Sequence, residues 1–234
     1  MHSLKLYFLL FISYSILGWI IEVLLMFIQH KKFINRGFFI GPYCPIYGLG
    51  AIFIILLLNK FINYPILLFL SAIVICSVLE YMASLILEKI YHARWWDYSD
   101  MKFNLNGRIC AITMIPFGIL GIIMMYVLNP MVIKFYNSLS SKSLNLICII
   151  IFIIFISDLI ISFVVLGEIR KDNKVLDKDN TEEMRMKVRK IILKRGLLHR
   201  RLLKAFPNFM NIDNIVKKAN EQKNKIVKKI IKKK

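Results

Sequence analysis

Apolar residues fall in five blocks along the chain, separated by short polar stretches, and the pattern breaks from Glu168 onward. The blocks run from about Leu6 to Ile28, Pro45 to Leu58, Pro65 to Ile90, Ile109 to Leu128 and Leu144 to Leu166. A bilayer core of ~30 Å takes about 20 apolar residues of α-helix. Four blocks reach that length. The second, with 14 residues, spans only ~21 Å as a helix. It follows Gly37-Phe38-Phe39-Ile40-Gly41-Pro42-Tyr43-Cys44-Pro45, an apolar run whose two glycines and two prolines preclude one regular helix. Either the second helix tilts in a thinned membrane, or 37–45 dips in as non-helical backbone. The latter is tolerated only where protein or a wet cavity surrounds it. The first block is not a signal peptide, because its apolar run is too long, it contains Glu22 and no small-residue cleavage site follows.

The pattern therefore predicts an all-α fold: a polytopic helical membrane protein with about five transmembrane helices over residues 1–168, and a basic cytoplasmic helical tail over 169–234. Composition agrees. Of 234 residues 58% are hydrophobic and 20% charged, against about 45–50% and 25% in soluble domains. The four cysteines, Cys44, Cys76, Cys110 and Cys148, lie in or beside apolar blocks without C-x-x-C spacing, so neither a disulfide framework nor a zinc site is expected.

Charge changes the picture in two ways. The formal net charge is +19, and from Glu168 on 22 Lys/Arg face 8 Asp/Glu. The basic loop residues Lys31, Lys32 and Arg36, and Lys89, Arg94, Lys102 and Arg108, share a side with that tail if five spans are counted. By the positive-inside rule this side is cytoplasmic and the N-terminus faces out, giving a multi-pass cell-membrane protein. In the tail, Asn180-Thr181-Glu182-Glu183 looks like an N-cap. Met184, Val188, Ile191, Leu198 and Leu202, then Ile212, Ile215, Val216, Ala219, Ile226 and Ile230, recur at helical spacing. Such helices are expected to lie on anionic lipid, remote from any chemistry in the spans. Nucleic-acid binding is disfavoured, because no aromatic stacking platform accompanies the charge.

Acidic residues within spans are the informative ones. Glu22 shares a helix face with Ser15 and Gly18. Ser77, Glu80, Ser84 and Glu88 make one polar stripe on the third block, and Asp158 sits in the fifth with Ser162 one turn on. Each carboxylate has a structural reading, a pairing with Arg36, Arg94 or Arg108, and a functional one, a cation, proton or polar-substrate path. For Asp158 the structural reading weighs more. The candidate charged cluster is Glu22, Arg36, Glu80, Glu88, Arg94, Asp97, Asn104 and Arg108. The segment of special backbone is carried by Gly37, Gly41, Pro42, Pro45 and Gly48. Asn106-Gly107 reads as a turn before the fourth helix, and the tryptophans and tyrosines near it as an interfacial belt. No catalytic residue, metal or cofactor is expected.

The runs NRGFFIGPYCPIYG, LGWIIE, LEY and HARWWDYSDMKFNLNGRIC resemble the bacterial membrane family called putative ABC-transporter type IV, over roughly residues 5–130. Matching positions are Gly18, Trp19, Glu22, Asn35, Arg36, Gly37, Gly41, Pro42, Pro45, Tyr47, Gly48, Glu80, Glu88, Arg94, Trp95, Trp96, Asp97, Tyr98, Asn104, Gly107 and Arg108. The resemblance implies a permease component of an ABC-type system. The chain has no G-x-x-x-x-G-K-[ST] loop to cradle ATP phosphates. A separate ATPase subunit is therefore expected, together with a homo-oligomer to complete the pathway. Glu22 and Glu80 could instead run a proton-coupled carrier. A membrane-embedded enzyme acting on a lipid headgroup around His92, and a scaffold or regulator, stay open. H-E-x-x-H and G-x-S-x-G are both absent.

Overall fold

The structure, a computed structural model, describes residues 4–31, 33–35, 37, 39–91, 94–178 and 201. Helix α1 covers Leu4–His30 and α2 covers Pro45–Leu58, closed by a 3₁₀ turn at Asn59–Phe61. Helix α3 covers Pro65–Tyr91. A short antiparallel pair follows, β1 Asn104–Leu105 and β2 Ile109–Cys110. Helix α4, Ala111–Ile123, passes through a π turn at Met124–Leu128 into α5, Asn129–Ser138, and α6 runs over Ser141–Lys178. Four helical stretches, Leu4–Gln29, Pro65–Tyr91, Ala111–Ser138 and Ser141–Gly167, are long and apolar enough to cross a membrane, while Pro45–Phe61 is shorter.

Two boundaries differ from expectation. The fourth helix does not stop at Leu128. The turn before Pro130 widens, with the Asn129 amide bonded to the Met124 carbonyl. This relieves the clash of a proline ring with the preceding turn, so the helix continues to Ser138. The sixth helix begins at Ser141 and continues past Gly167 to Lys178. The amphipathic helices expected further along the tail lie outside the described residues, apart from Arg201.

On α3 the polar stripe faces inward and one apolar stripe faces outward. On α3, Ile66, Leu70, Val74, Val78, Met82 and Ile86 form an exposed stripe at four-residue steps, while Ser77, Glu80 and Ser84 are buried. At the end holding the start of α1, Lys5 donates to Asn145 at 2.7 Å, Ser13 shares a hydrogen bond with Tyr136 at 2.8 Å, and Tyr14 donates to Asn129 at 3.2 Å. Leu9, Leu10, Leu68 and Ala72 fill the core between them.

Helices α1 and α2 pack against each other through glycine. A Cβ on Gly18 would lie 2.2 Å from the Tyr47 ring, and one on Gly48 would lie 2.2 Å from Ser15 Oγ and 2.4 Å from the Phe11 carbonyl. The second contact is with backbone and cannot yield. Gly48→Val is therefore expected to force α1 and α2 apart at an overpacking cost of about 1–3 kcal/mol. A lowered melting temperature in detergent checks this, with Gly50→Ala, which meets nothing closer than 3.7 Å, as the tolerated control.

Candidate functional site

The backbone between α1 and α2 is the structural exception. Fifteen residues of helix separate Ser15 from His30, which is ~22 Å of rise. Yet the Cys44 amide donates to the Ser15 carbonyl at 2.8 Å. The chain has therefore turned back along α1 by Cys44, the described residues between the two helices are not helical, and α2 begins at mid-height. The first steps are organised by Asn35, whose Oδ1 accepts from Trp19 Nε1 at 2.8 Å and from the Gly37 amide at 3.1 Å.

Asp158 holds the deepest part. Its carboxylate, 9% exposed, accepts from the Ile40 amide at 3.1 Å, the Gly41 amide at 2.6 Å, the Tyr43 hydroxyl, and Ser162 Oγ at 2.8 Å. A Cβ at Gly41 would sit 2.5 Å from the Tyr43 ring and 2.8 Å from Asp158 Oδ2, so only glycine lets the carboxylate come this close. On the carbonyl side Arg201 donates from Nη2 to Gly37 at 2.5 Å and also to Phe39. Burial pushes this guanidinium down from its ordinary value, and the Asp158 charge acts in the opposite direction. Phe39, Tyr43 and Phe155 pack around the segment, with centroids 5.5–5.7 Å apart. The tail, expected to stay remote, thus sends one arginine into the bundle.

The sequence-predicted residues fall in two linked groups. The inner group contains the two span carboxylates. Tyr47 donates to Glu22 Oε1 at 2.8 Å, and Tyr98 donates to Glu80 Oε1 at 3.2 Å. Tyr47 interacts electrostatically with both carboxylates, and Glu22 acts on Glu80. The outer group is balanced in charge. Glu88 Oε2 bridges Arg94 Nε at 3.1 Å and Arg108 Nη1 at 2.6 Å, and Arg94 Nη1 lies 3.5 Å from Asp97 Oδ1. Arg108 Nη1 also reaches Ser84 Oγ at 3.1 Å, one turn from Glu80. Arg94 and Arg108 are therefore engaged with Glu88 and Asp97, and neither pairs with Glu80. Arg36 and His92 lie outside the described residues.

The connection carrying the outer group is built by local hydrogen bonds. Asn106 and Gly107 both take left-handed φ, 54° and 68°, the dihedral choice that an Asn-Gly pair makes cheaply. The turn is closed by the Arg108 amide on the Leu105 carbonyl at 3.0 Å. Asn104 accepts from the Gly107 amide at 3.0 Å and donates to the Met101 carbonyl at 2.7 Å, so its side chain braces this turn. Trp96 donates to the Arg108 carbonyl at 3.0 Å. Among the described residues no group of three or more His, Cys, Asp or Glu side chains could hold a metal ion.

Sequence reasoning gave Asp158 the lesser role and did not single out Arg201. The signal for Asp158 was present in its position within an apolar span, but its partners are amides 117 and 118 residues away. For Arg201, one basic residue among many, no sequence signal distinguishes it.

A family model for putative ABC-transporter type IV proteins matches residues 9–163. No curated protein and no solved structure matches the chain.

Asp158→Ala is expected to leave two buried amides without an acceptor, at ~1–3 kcal/mol for each unsatisfied group. Opening of the segment should then raise alkylation of Cys44, which is buried and outside any disulfide, by roughly 5–30-fold for each 1–2 kcal/mol. Mass spectrometry of the Cys44 peptide checks this, and Ser162→Ala should have a smaller effect.

Proposed function

The chain belongs to the putative ABC-transporter type IV family, and from that membership we propose that it is the membrane-spanning component of an ABC-type transport system served by a separate ATPase. The observation that carries the reading is the break before α2: the Cys44 amide bonds to the Ser15 carbonyl, so α2 starts at Pro45 beside the middle of α1. Non-helical backbone at membrane depth is tolerated where it lines a cavity or is buried in protein, and transporter binding sites form at such breaks. The break together with α2 counts as the fifth crossing, between α1 and α3. The ends of α1, α3 and α6 that share the basic connections face the cytoplasm.

The carboxylates and tyrosines of the inner group line a polar path, and the balanced outer group closes its cytoplasmic mouth. Opening that mouth exchanges four opposed charges and their hydrogen bonds, so a bound ATPase has a defined element to move. Because one chain offers a single interrupted span, two copies are expected to frame the complete path. The enzyme reading turns on His92 and the scaffold reading on the basic tail, and of these only residues 169–178 and Arg201 lie among the described residues.

Purification of the full chain from its native membranes in mild detergent tests the proposal. An ATPase is expected to co-purify, with ATP hydrolysis that falls when Asp158→Asn or the pair Arg94→Ala, Arg108→Ala is introduced. Repeated purification without an ATPase, after cross-linking in intact cells, would sink the ABC reading.

A further inference from the structure

Glu80 is in an unusual position for a residue of an apolar span. It is 8% exposed, and Ser77, one turn earlier on α3, is 4% exposed. Glu80 Oε1 accepts from Tyr98, but among the described residues Glu80 Oε2 and Ser77 Oγ have no hydrogen-bond partner, and they do not bond each other. No ion pair reaches Glu80 among the described residues, since Arg94 and Arg108 are engaged with Glu88 and Asp97. A second carboxylate, Glu22 of α1, acts on it electrostatically, and Tyr47 of α2 donates to Glu22. On α3 itself Cys76 also feels Glu80. A buried carboxylate with one oxygen unpartnered and no cation paired to it among the described residues is costly in a low-dielectric bundle. The cost falls when a positive charge binds to it.

We propose that Glu80 and Ser77 form the binding site of a single positive charge, a proton or a monovalent cation, within the bundle. Glu80 Oε2 is the charged ligand, and Ser77 Oγ supplies the neutral oxygen beside it. The absence of a third acidic or histidine ligand among the described residues suits one charge and not a polyvalent metal. The ligand arrives along Tyr98, which joins Glu80 to the connection bearing the outer ion pairs. The Tyr98 hydroxyl stabilises the ionised carboxylate, so the site holds its positive charge more tightly when that connection moves away and releases it when the hydroxyl returns. As a binding site it stands without the ATPase; its use in coupling rests on the transport reading.

Dicyclohexylcarbodiimide, which adds to protonated carboxyl groups in apolar surroundings, tests the site in the full chain in liposomes. Mass spectrometry should find the adduct on Glu80, and Glu80→Gln should abolish it. Labelling that falls with rising pH and ignores NaCl and KCl identifies the ligand as a proton. Labelling that either salt suppresses at fixed pH identifies a monovalent cation, and Ser77→Ala should then weaken that protection. Glu22→Gln should reduce labelling at fixed pH in the first case and salt protection in the second, because the neighbouring charge favours a positive ligand. Absence of the adduct on Glu80 throughout, or labelling unchanged by pH, salt and Glu22→Gln, would overturn the proposal. Labelling reads Glu80 whether or not an ATPase is bound, so it fails separately from the purification experiment.

Discussion

Everything that distinguishes this bundle from a simple stack of apolar helices depends on one buried carboxylate. Asp158 accepts from two successive backbone amides, a tyrosine hydroxyl and a serine hydroxyl. In an apolar environment an amide without an acceptor is expensive, and so is a carboxylate without donors. Each defect cancels the other here. Arg201 does the same for the carbonyl side of the segment, donating to Gly37 and Phe39. The irregular segment can therefore sit against the bundle interior without a helix or sheet to satisfy its backbone.

That placement makes α2 short. A full-length helix between α1 and α3 would bring no backbone polar groups to mid-height, whereas the break leaves the N-terminus of α2 there, with its positive dipole end among carboxylates. Tyr47, two residues into α2, meets Glu22 directly. The glycine contacts Gly18–Tyr47 and Gly48–Ser15 allow the close approach. The polar interior of this protein thus follows from packing as well as from charge. Two glycines bring α1 and α2 together, and that contact sets the depth at which the tyrosine and the carboxylates meet.

Much of this was legible in the sequence, in proportion to how local the cause is. Block lengths gave α1, α2 and α3 to within two residues at their ends, because apolar runs bounded by Pro45, Pro65 and the charged connections leave little freedom. Asn106-Gly107 declared its turn, since two left-handed residues are needed in succession. The extension of the fourth and fifth blocks, to Ser138 and to Lys178, was not legible. The fourth block ends at Leu128, but the π turn at Met124–Leu128 carries the helix past Pro130 to Ser138. The polar stripe of α3 placed Glu80 inside, as found, but of its arginine candidates Arg94 and Arg108 pair elsewhere and Arg36 lies outside the described residues. Both nearby arginines are taken by Glu88, which shares that stripe two turns on. The partners of Asp158 are contacts between elements far apart in the chain, so no pattern in either segment could have shown them.

The central claim is that the segment before α2 lies beside the middle of α1, held there by Asp158. Oxidative cross-linking in native membranes between Cys44 and Ser15→Cys tests it most directly, since neighbouring backbones fall within disulfide reach. A disulfide with position 15 that weakens in Asp158→Ala, and none with Gln29→Cys near the end of α1, is the predicted result. A disulfide with position 29 and none with position 15 would place the segment at the helix end and contradict it.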